Sequence, residues 1–388
     1  MIYLDNQATT PTDPRVLRSM IGFLETDAVG NPHSEHFAGR RVAASVEHAR
    51  GQVADLIGVR AEEIVFTSGA TEANNIAIQG IANAAGRRGN HVITCSTEHK
   101  CVLECVHYLR DKGFKVDVLP VGQDGLLDLG LLRDRITDST ALVSIMAANN
   151  EIGVLQPISQ IADICRSRDV VFHTDAAQAA GKIPFDAAAM GIDLVSLSGH
   201  KLYAPIGIGA LFVSEDGPVK PEPLFKGGGQ ERGLRSGTVA AHLAVAMGAA
   251  AEIAKKELAR DAASAASLRQ LFLEIVATRI PYSVVNAADA PRLPGNLSLT
   301  FPGIDADHLV GALQPHLAVS TNAACSSGMI EPSHVLLALG LTDGQAKSTI
   351  RVGFGRFNTP EDVESAAVLL CATVEKIGGK GVENVVAA

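Results

Sequence analysis

The sequence predicts an α/β protein in which a large domain holds a mostly parallel, seven-stranded sheet and a smaller domain is α+β. From about residue 60, seven short β-rich runs alternate with longer helical patterns, which is typical of βαβ units. Two more strand-like runs lie among helical patterns in the last third of the chain. With 388 residues, the chain is long enough for two or three domains.

The seven β-rich runs are mostly apolar, which favours strands that are buried on both faces of a sheet. They cover residues 64–67, 91–95, 115–119, 141–145, 170–173, 194–197 and 208–213. Ahead of them, apolar residues at 42–56 recur at spacings of four and three. This pattern predicts an amphipathic helix that ends at Gly58 and packs on the sheet.

A long alanine-rich pattern predicts a helix over about 238–262 that leaves the sheet. We place the domain boundary near the end of this helix. The large domain then covers residues 15–258, and the small domain covers 1–14 and 259–388. Runs at 296–301 and 348–352 are the predicted strands of the small domain, which also carries a loop at about 319–333.

Composition excludes several classes of function. The chain has 33 basic and 42 acidic residues, and its net charge of −9 argues against binding to nucleic acid or to an anionic membrane surface. It has no apolar stretch of the roughly 20 residues that a membrane-spanning helix needs, and its first residues lack the basic region of a signal peptide. Its six cysteines form no C-x-x-C pair, which indicates reduced thiols. We therefore expect a cytoplasmic protein.

A lysine and an aspartate follow two of the predicted strands. Lys201 comes after the strand at 194–197 in a Ser-Gly-His-Lys turn, and Asp175 ends another buried strand. Open α/β folds bind ligands at this edge of the sheet. A desolvated lysine can form a Schiff base, and a buried aspartate is the partner of the pyridinium nitrogen in pyridoxal 5'-phosphate (PLP) enzymes, so the two residues support one another. The alternatives are a solvated loop lysine and a helix N-cap.

The segment 67–73 joins a strand to a predicted helix through a turn of small residues. Backbone N–H groups and the helix dipole favour an anion at such a helix N-terminus, so the segment predicts a phosphate site. The alternative is a helix that is simply capped by Ser68 or Thr71. The sequence has neither a G-x-G-x-x-G nor a G-x-x-x-x-G-K-[ST] motif, which argues against a dinucleotide or P-loop nucleotide site.

Three cysteines and two histidines lie close together between residues 95 and 107. Such a cluster could hold zinc, but Cys101, Cys105 and Leu109 recur every four residues, which favours the apolar face of a helix. We therefore predict no metal site. His99 stands apart in a strand-to-helix loop, where its ring could stack on a flat cofactor.

Two further residues are candidates for chemistry near the end of the chain. Cys325 lies in a small, polar, glycine-containing stretch that predicts an exposed loop, where a thiol can act as a nucleophile. An incidental surface thiol is the alternative. Arg351 is a charge within a strand pattern, and a buried arginine needs an anionic partner. That partner is either a substrate carboxylate or an internal acid.

A series of short motifs runs in the order found in a known family. They lie at 30–34 (Gly-Asn-Pro-His-Ser), 68–75, 98–100, 149–153, 173–178, 198–201, 227–238 and 350–357. From about residue 3 to residue 360 the chain resembles the cysteine desulfurases, which are PLP-dependent and similar to class-V aminotransferases. The segment around Cys325, with Glu-Pro-Ser-His at 331–334, resembles the NifS/IscS class.

The resemblance implies a PLP-dependent transferase of fold type I that takes sulfur from L-cysteine and leaves L-alanine and a persulfide on Cys325. Lys201 would hold PLP and act as a base, and His99 would stack on the cofactor ring. Asn150 and Arg351 would hold the substrate carboxylate. The cofactor-binding residues that the resemblance implies are Lys201, His99, Asp175 at the pyridinium nitrogen, Gln178 at the phenolic oxygen, Ala70, Thr71, Ser198 and His200 around the phosphate, and Thr238, which would reach the cofactor of the neighbouring subunit.

The resemblance also implies a homodimer and a sulfur-acceptor protein such as an iron–sulfur scaffold. The alternatives are a selenocysteine lyase or another fold-type I PLP enzyme such as an aminotransferase, which would not need Cys325. The sequence departs from the family in two places. Thr-Asn-Ala-Ala precedes Cys325 where the family commonly has Ser-Gly-Ser-Ala, and Cys101 replaces a small residue.

Overall fold

The computed structural model describes residues 1–321, 324–326 and 329–378, and for residues 324–326 and 329–330 it describes the backbone alone. The strands are β1 (Ile2–Tyr3), β2 (Ile64–Thr67), β3 (His91–Cys95), β4 (Lys115–Leu119), β5 (Thr140–Ser144), β6 (Val171–Asp175), β7 (Leu194–Ser198), β8 (Gly209–Val213), β9 (Val284–Val285), β10 (Asn296–Thr300), β11 (Leu317–Ala318), β12 (Ser320–Thr321), β13 (Ala324–Ser326), β14 (Met329–Glu331) and β15 (Thr349–Gly353). The helices are α1 (Pro14–Thr26), α2 (Phe37–Leu56), α3 (Ala70–Asn83), α4 (Lys100–Asp111), α5 (Leu129–Arg135), α6 (Ile158–Ser167), α7 (Ala187–Met190), α8 (Ala241–Arg279), α9 (Ala306–Leu313), α10 (His334–Ala338), α11 (Asp343–Lys347) and α12 (Pro360–Gly378).

The central sheet has seven strands in the order β2-β8-β7-β6-β5-β3-β4. Strands β4, β3, β5, β6 and β7 are parallel to their neighbours in this series, whereas β8 is antiparallel to both β7 and β2. The predicted mostly parallel, seven-stranded sheet is therefore confirmed. The observed strand bounds differ from the predicted ones by at most two residues. Such differences are expected because the predicted bounds follow the apolar runs, whereas the observed bounds follow the hydrogen-bond pattern.

Helices cover both faces of this sheet. In β2, Ile64 and Phe66 point into one apolar cluster and Val65 points into another, as the two-residue period of a strand requires. The first cluster includes residues of α2, α6 and the first half of α8, and the second includes residues of α3 and α4. The predicted helix at 42–56 packs on the sheet, and Gly58 follows it with φ of +70°.

A second sheet, with the order β12-β15-β10-β9, forms the base of an α+β unit. Its strands pair antiparallel. Helices α9 and α12 and the second half of α8 pack their buried residues against it. The chain start joins this unit, because Leu4 is fully buried in the same cluster.

Helix α8 runs from Ala241 to Arg279, well beyond the predicted end at about 262. Ala244 and Ala254 pack in the core of the central sheet, whereas Phe272 and Val276 pack in the core of the second sheet. The helix thus continues past its predicted end because its first half packs in one core and its second half packs in the other. The division at residue 258 falls within this helix and stays a prediction.

The segment predicted as an exposed loop at about 319–333 contains paired backbone. Strands β13 and β14 are antiparallel, with Cys325 opposite Ile330. Residues 324–326 and 329–331 are thus paired strands within the predicted loop, and the exposure of this segment stays a prediction. The side chain of Cys325 lies outside what the structure describes.

Within the described residues, no helix combines the length and the apolar character needed to cross a membrane.

Candidate active site

A cavity of about 510 Å³ opens at the carboxyl ends of strands β6 and β7. This is the edge where open α/β sheets bind ligands. The predicted site residues that line it are Ala70, Thr71, His99, Asn150, Asp175, Gln178, Ser198, His200, Lys201 and Arg351. Thr238 is exposed and is not part of this lining, and the side chain of Cys325 is not described.

Lys201 lies inside this cavity, in the single turn of 3₁₀ helix that follows β7. Its Nζ atom donates a hydrogen bond to the carbonyl oxygen of Gln7. Burial, followed by the positive charge of Arg351, lowers the pKa of Lys201 to about 8. Lys201 is therefore a partly desolvated amine facing a cavity, and not a solvated loop lysine.

Asp175 ends strand β6 and is buried. Its Oδ2 atom accepts a hydrogen bond from Nδ2 of Asn74 at 2.7 Å, and its Oδ1 atom accepts one from the backbone N–H of Ala177 at 2.9 Å. No helix begins there, so Asp175 is not a helix N-cap. Asn74, which orients the carboxylate, had no role in the sequence prediction.

The N-terminus of α3 points its backbone amides toward the cavity at Ala70 and Thr71. No side chain caps this helix. The backbone N–H of Ser68 instead donates to Oε2 of Glu72, so the predicted capping by Ser68 or Thr71 is not observed. An uncapped helix N-terminus beside a cavity suits an anion.

His99 caps the N-terminus of α4 at the cavity wall. Its Nδ1 atom accepts a hydrogen bond from the backbone N–H of Cys101 at 3.2 Å and lies 3.0 Å from the Cys101 thiol. Burial lowers the pKa of His99 and raises the pKa of Cys101 to about 12. Because Nδ1 accepts the backbone hydrogen bond, the neutral form of the ring carries its proton on Nε2.

Of the two partners that the sequence left open for Arg351, the structure shows the internal acid, Asp5. Its Nη2 atom pairs with Oδ1 of Asp5 at 2.8 Å, and its Nη1 atom donates to the carbonyl oxygen of Asn150 at 3.3 Å. The guanidinium also lines the cavity, and its buried Nε atom has no hydrogen-bond partner. An internal ion pair therefore positions Arg351 at the cavity wall.

Three residues to which the sequence prediction gave no role lie at the cavity or next to residues that line it. Gln7 brings Lys201 and Gln178 together, because its carbonyl oxygen accepts from both. Lys182 donates to Oε1 of Gln178 at 2.8 Å. Glu98, next to His99, is fully buried, and this burial raises its pKa to about 8. Gln7 and Lys182 stand in no strand-end motif, whereas Glu98 opens the motif at 98–100 but was given no role of its own.

The cysteines of α4 take the predicted apolar face. Cys105, Val102 and Val106 are buried in the core between the sheet and α3, and Cys101 packs at its edge. Among the described residues, no group of histidines, cysteines and acids is arranged to hold a metal ion.

Comparison with known families identifies the fold and its relatives. The model of the aminotransferase class-V family matches residues 2–365. The chain belongs to this family.

Several similar proteins are named cysteine desulfurases. Cysteine desulfurase IscS of Rickettsia akari is 47% identical over 377 residues, which is 97% of this chain and 92% of the relative. The mitochondrial cysteine desulfurase of Drosophila melanogaster is 50% identical over 377 residues, with 97% of this chain and 81% of the relative covered. A solved structure described as a NifS-like protein superposes with a TM-score of 0.88 at 37% identity, covering 97% of this chain and 99% of that one.

These relatives confirm the predicted resemblance to cysteine desulfurases of the NifS/IscS class and the predicted fold, PLP-dependent transferase fold type I. The family is PLP-dependent. The roles of the individual site residues stay predictions.

Proposed function

We propose that this chain is a PLP-dependent cysteine desulfurase that converts L-cysteine to L-alanine and leaves the sulfur as a persulfide on Cys325. The observation that carries the proposal is the shared cavity of Lys201, Asp175, His99 and Arg351. This cavity joins an amine, a buried carboxylate, an imidazole ring and a guanidinium from four different parts of the chain. Names of close relatives support the reaction type.

The residues around the cavity fit PLP. Asp175 would hold the protonated pyridine nitrogen, His99 would lie against the ring, and Gln178 would face the phenolic oxygen. The uncapped N-terminus of α3, with Ser198 and His200 across the cavity, would bind the phosphate. When bound, PLP supplies an electron-accepting ring that stabilises negative charge at the α-carbon of the substrate.

Arg351 and Asn150 would hold the carboxylate of L-cysteine. Asp5 fixes the guanidinium from one side, and Arg351 lines the cavity, so the guanidinium is already oriented before a ligand binds. A bound carboxylate would therefore place the substrate without first ordering a flexible side chain.

Lys201 suits the role of the base that takes the α-proton. With a pKa near 8, a substantial fraction of its amine is neutral at physiological pH. The thiolate of Cys325 would then attack the substrate sulfur, so that an S–S bond forms while the C–S bond breaks and its electron pair goes to the β-carbon. The balance is L-cysteine plus the Cys325 thiol giving L-alanine plus the Cys325 persulfide.

Partners and location belong to the same proposal. We propose a homodimer in which Thr238, exposed in the single chain, contacts the cofactor of the neighbouring subunit. We further propose that the persulfide passes to a sulfur-acceptor protein such as an iron–sulfur scaffold, which the name IscS of several relatives supports. The cysteines with described side chains, Cys95, Cys101, Cys105, Cys165 and Cys371, are free thiols, which suits the reducing cytoplasm.

The test is the release of sulfide and alanine from L-cysteine by PLP-loaded protein in the presence of a thiol reductant. Wild-type protein should release the two products in equal amounts. Cys325→Ser should keep the cofactor absorbance and lose sulfide release. A mutant that still supplies sulfide at the wild-type rate contradicts the role of Cys325, and a wild-type protein that transaminates without releasing sulfide contradicts the proposed reaction.

Relative turnover of L-cysteine and L-selenocysteine decides between desulfurase and selenocysteine lyase.

A further inference from the structure

Each end of the segment that carries Cys325 is tied by a serine to a largely buried carboxylate. Ahead of the segment, Oγ of Ser320 donates to Oδ2 of Asp5 at 2.6 Å. After it, Oγ of Ser333 donates to Oε2 of Glu151 at 2.5 Å. Asp5 and Glu151 come from distant parts of the chain, so these bonds fix the segment at two separate points.

Of the two carboxylates, one pairs with Arg351 and the other lies near it. Asp5 forms its ion pair, and Glu151 directly follows Asn150, whose carbonyl oxygen accepts from Nη1 of Arg351. In the antiparallel ladder of β12 and β15, Ser320 lies directly opposite Arg351. The two attachment points therefore meet at the group that would hold the substrate carboxylate.

The Ser333 hydroxyl donates one hydrogen bond and accepts two. Besides donating to Glu151, it accepts from the backbone N–H groups of Val335 and Leu336 at 3.1 and 3.3 Å. The next residue, His334, bonds through Nε2 to the carbonyl oxygen of Glu98 at 2.9 Å. The start of α10 is thus held against two turns of the cavity wall, the turn that carries Asn150 and the turn that carries His99.

We propose that Ser320 and Ser333 are positioning residues for sulfur transfer, which hold the two ends of the intervening segment so that the Cys325 thiol meets the substrate sulfur once the substrate carboxylate lies on Arg351. This inference rests on the proposed function. Neither serine lines the cavity, so each would act through the chain that it anchors. A misplacement of about 1 Å between reacting atoms can slow a reaction on the order of a hundredfold. Fixing both ends of the segment would therefore help to place the Cys325 thiol against the substrate sulfur.

The test compares Ser320→Ala and Ser333→Ala with wild type in the PLP-loaded protein. Single-turnover persulfide formation on Cys325 is followed by mass spectrometry, and cofactor absorbance and the affinity for L-alanine are measured alongside. We expect each variant to form persulfide at least about tenfold more slowly, with L-alanine affinity within about twofold of wild type. Ser333→Thr retains a hydroxyl and should recover most of the rate.

Thr342→Ala is the matched control. Thr342 caps α11 with the same kind of side-chain bond by which Ser333 caps α10, but it has no contact with Glu151. This variant should form persulfide at close to the wild-type rate.

Persulfide rates within about twofold of wild type in both serine variants overturn the inference. So does an equal loss in Thr342→Ala, which would reflect helix capping alone, or a matching loss of L-alanine affinity, which would place the serines in substrate binding. If wild-type protein forms no persulfide, the proposed function itself fails and this inference fails with it. Wild-type activity with unaffected serine variants overturns only the positioning role.

Discussion

Arg351 and Asp5 form an ion pair at the cavity wall, with 2.8 Å between Nη2 and Oδ1, although 346 residues separate them in the chain. Asp5 lies just after β1, and Arg351 is the central residue of β15. The pair neutralises a mostly buried charge and leaves Nε without a partner. The chain start thereby orients the guanidinium that we propose for substrate binding.

Replacing Arg351 with lysine should weaken substrate binding more than cofactor binding. Lysine keeps a charge near Asp5 but loses the planar fork, and a hydrogen bond between charged groups is worth about 1.5 to 3 kcal/mol. We expect kcat/KM for L-cysteine to fall roughly ten- to hundredfold, mainly through KM. Steady-state kinetics and L-alanine titration measure this. Arg260→Lys, at an exposed arginine, is the control and should be unaffected, and an unchanged KM in Arg351→Lys would argue against the role of Arg351.

The pH dependence of cofactor capture should report the lowered pKa of Lys201. The amine reacts only when neutral, and burial and Arg351 lower its pKa from an ordinary 10.5 to about 8. Covalent capture of PLP by cofactor-free protein should therefore rise about tenfold per pH unit below this pKa and level off above it. Borohydride trapping and mass spectrometry of the Lys201 peptide give the rate. A rate that keeps rising to about pH 10 would indicate an ordinary lysine.

Glu98→Gln should change how stability depends on pH. Burial raises the pKa of Glu98 from 4.5 to about 8, so between these values the folded protein binds a proton that the unfolded chain has released. The stability contributed by this proton is present below the unfolded pKa and is lost as pH rises through the folded pKa. Glutamine does not titrate, and its Oε1 can still accept from the N–H of Met146, which donates to Glu98 at 2.6 Å.

We expect the free energy of unfolding of wild type to fall relative to Glu98→Gln by about 2 to 4 kcal/mol between about pH 5 and pH 8. Urea denaturation of both proteins at the two pH values measures the difference. Parallel pH profiles would mean that Glu98 is ionised in the folded protein.

Cys101→Ala should have little effect, even though the thiol lies at the cavity. His99 accepts from the backbone N–H of Cys101 as well as lying beside its thiol, and the backbone bond survives the change. We expect kcat/KM within about threefold of wild type, whereas His99→Ala should lose on the order of a hundredfold. A tenfold loss in Cys101→Ala would instead show that the thiol orients the ring.

The sequence predicted the central sheet, and it predicted residues that the structure brings to one cavity, because both follow from local patterns. Buried strands are continuous apolar runs, and Lys201 and Asp175 stand directly at strand ends, where the parallel arrangement brings them together. The uncapped turn at α3 was found in the same way.

The contacts that complete the site could not be found by the same reasoning. Asp5 and Gln7 reach the cavity only because the chain start folds back onto it, and the bond between Ser333 and Glu151 joins residues 182 positions apart. Strands of two residues, such as β1 and β12, have no periodicity to detect. An acid within the mostly apolar chain start was the only local signal for Asp5.

Helix α8 makes the two cores inseparable. Ala254 is buried in one and Leu268 in the other, and the helix is continuous between them. A helix of 39 residues is about 58 Å long at 1.5 Å per residue. It therefore connects the two cores rigidly and not as a flexible linker. A fragment that ended at residue 258 would leave apolar side chains of both cores facing water. The protein should accordingly unfold in one cooperative transition. Heat that unfolds either core should also disrupt the cavity between them.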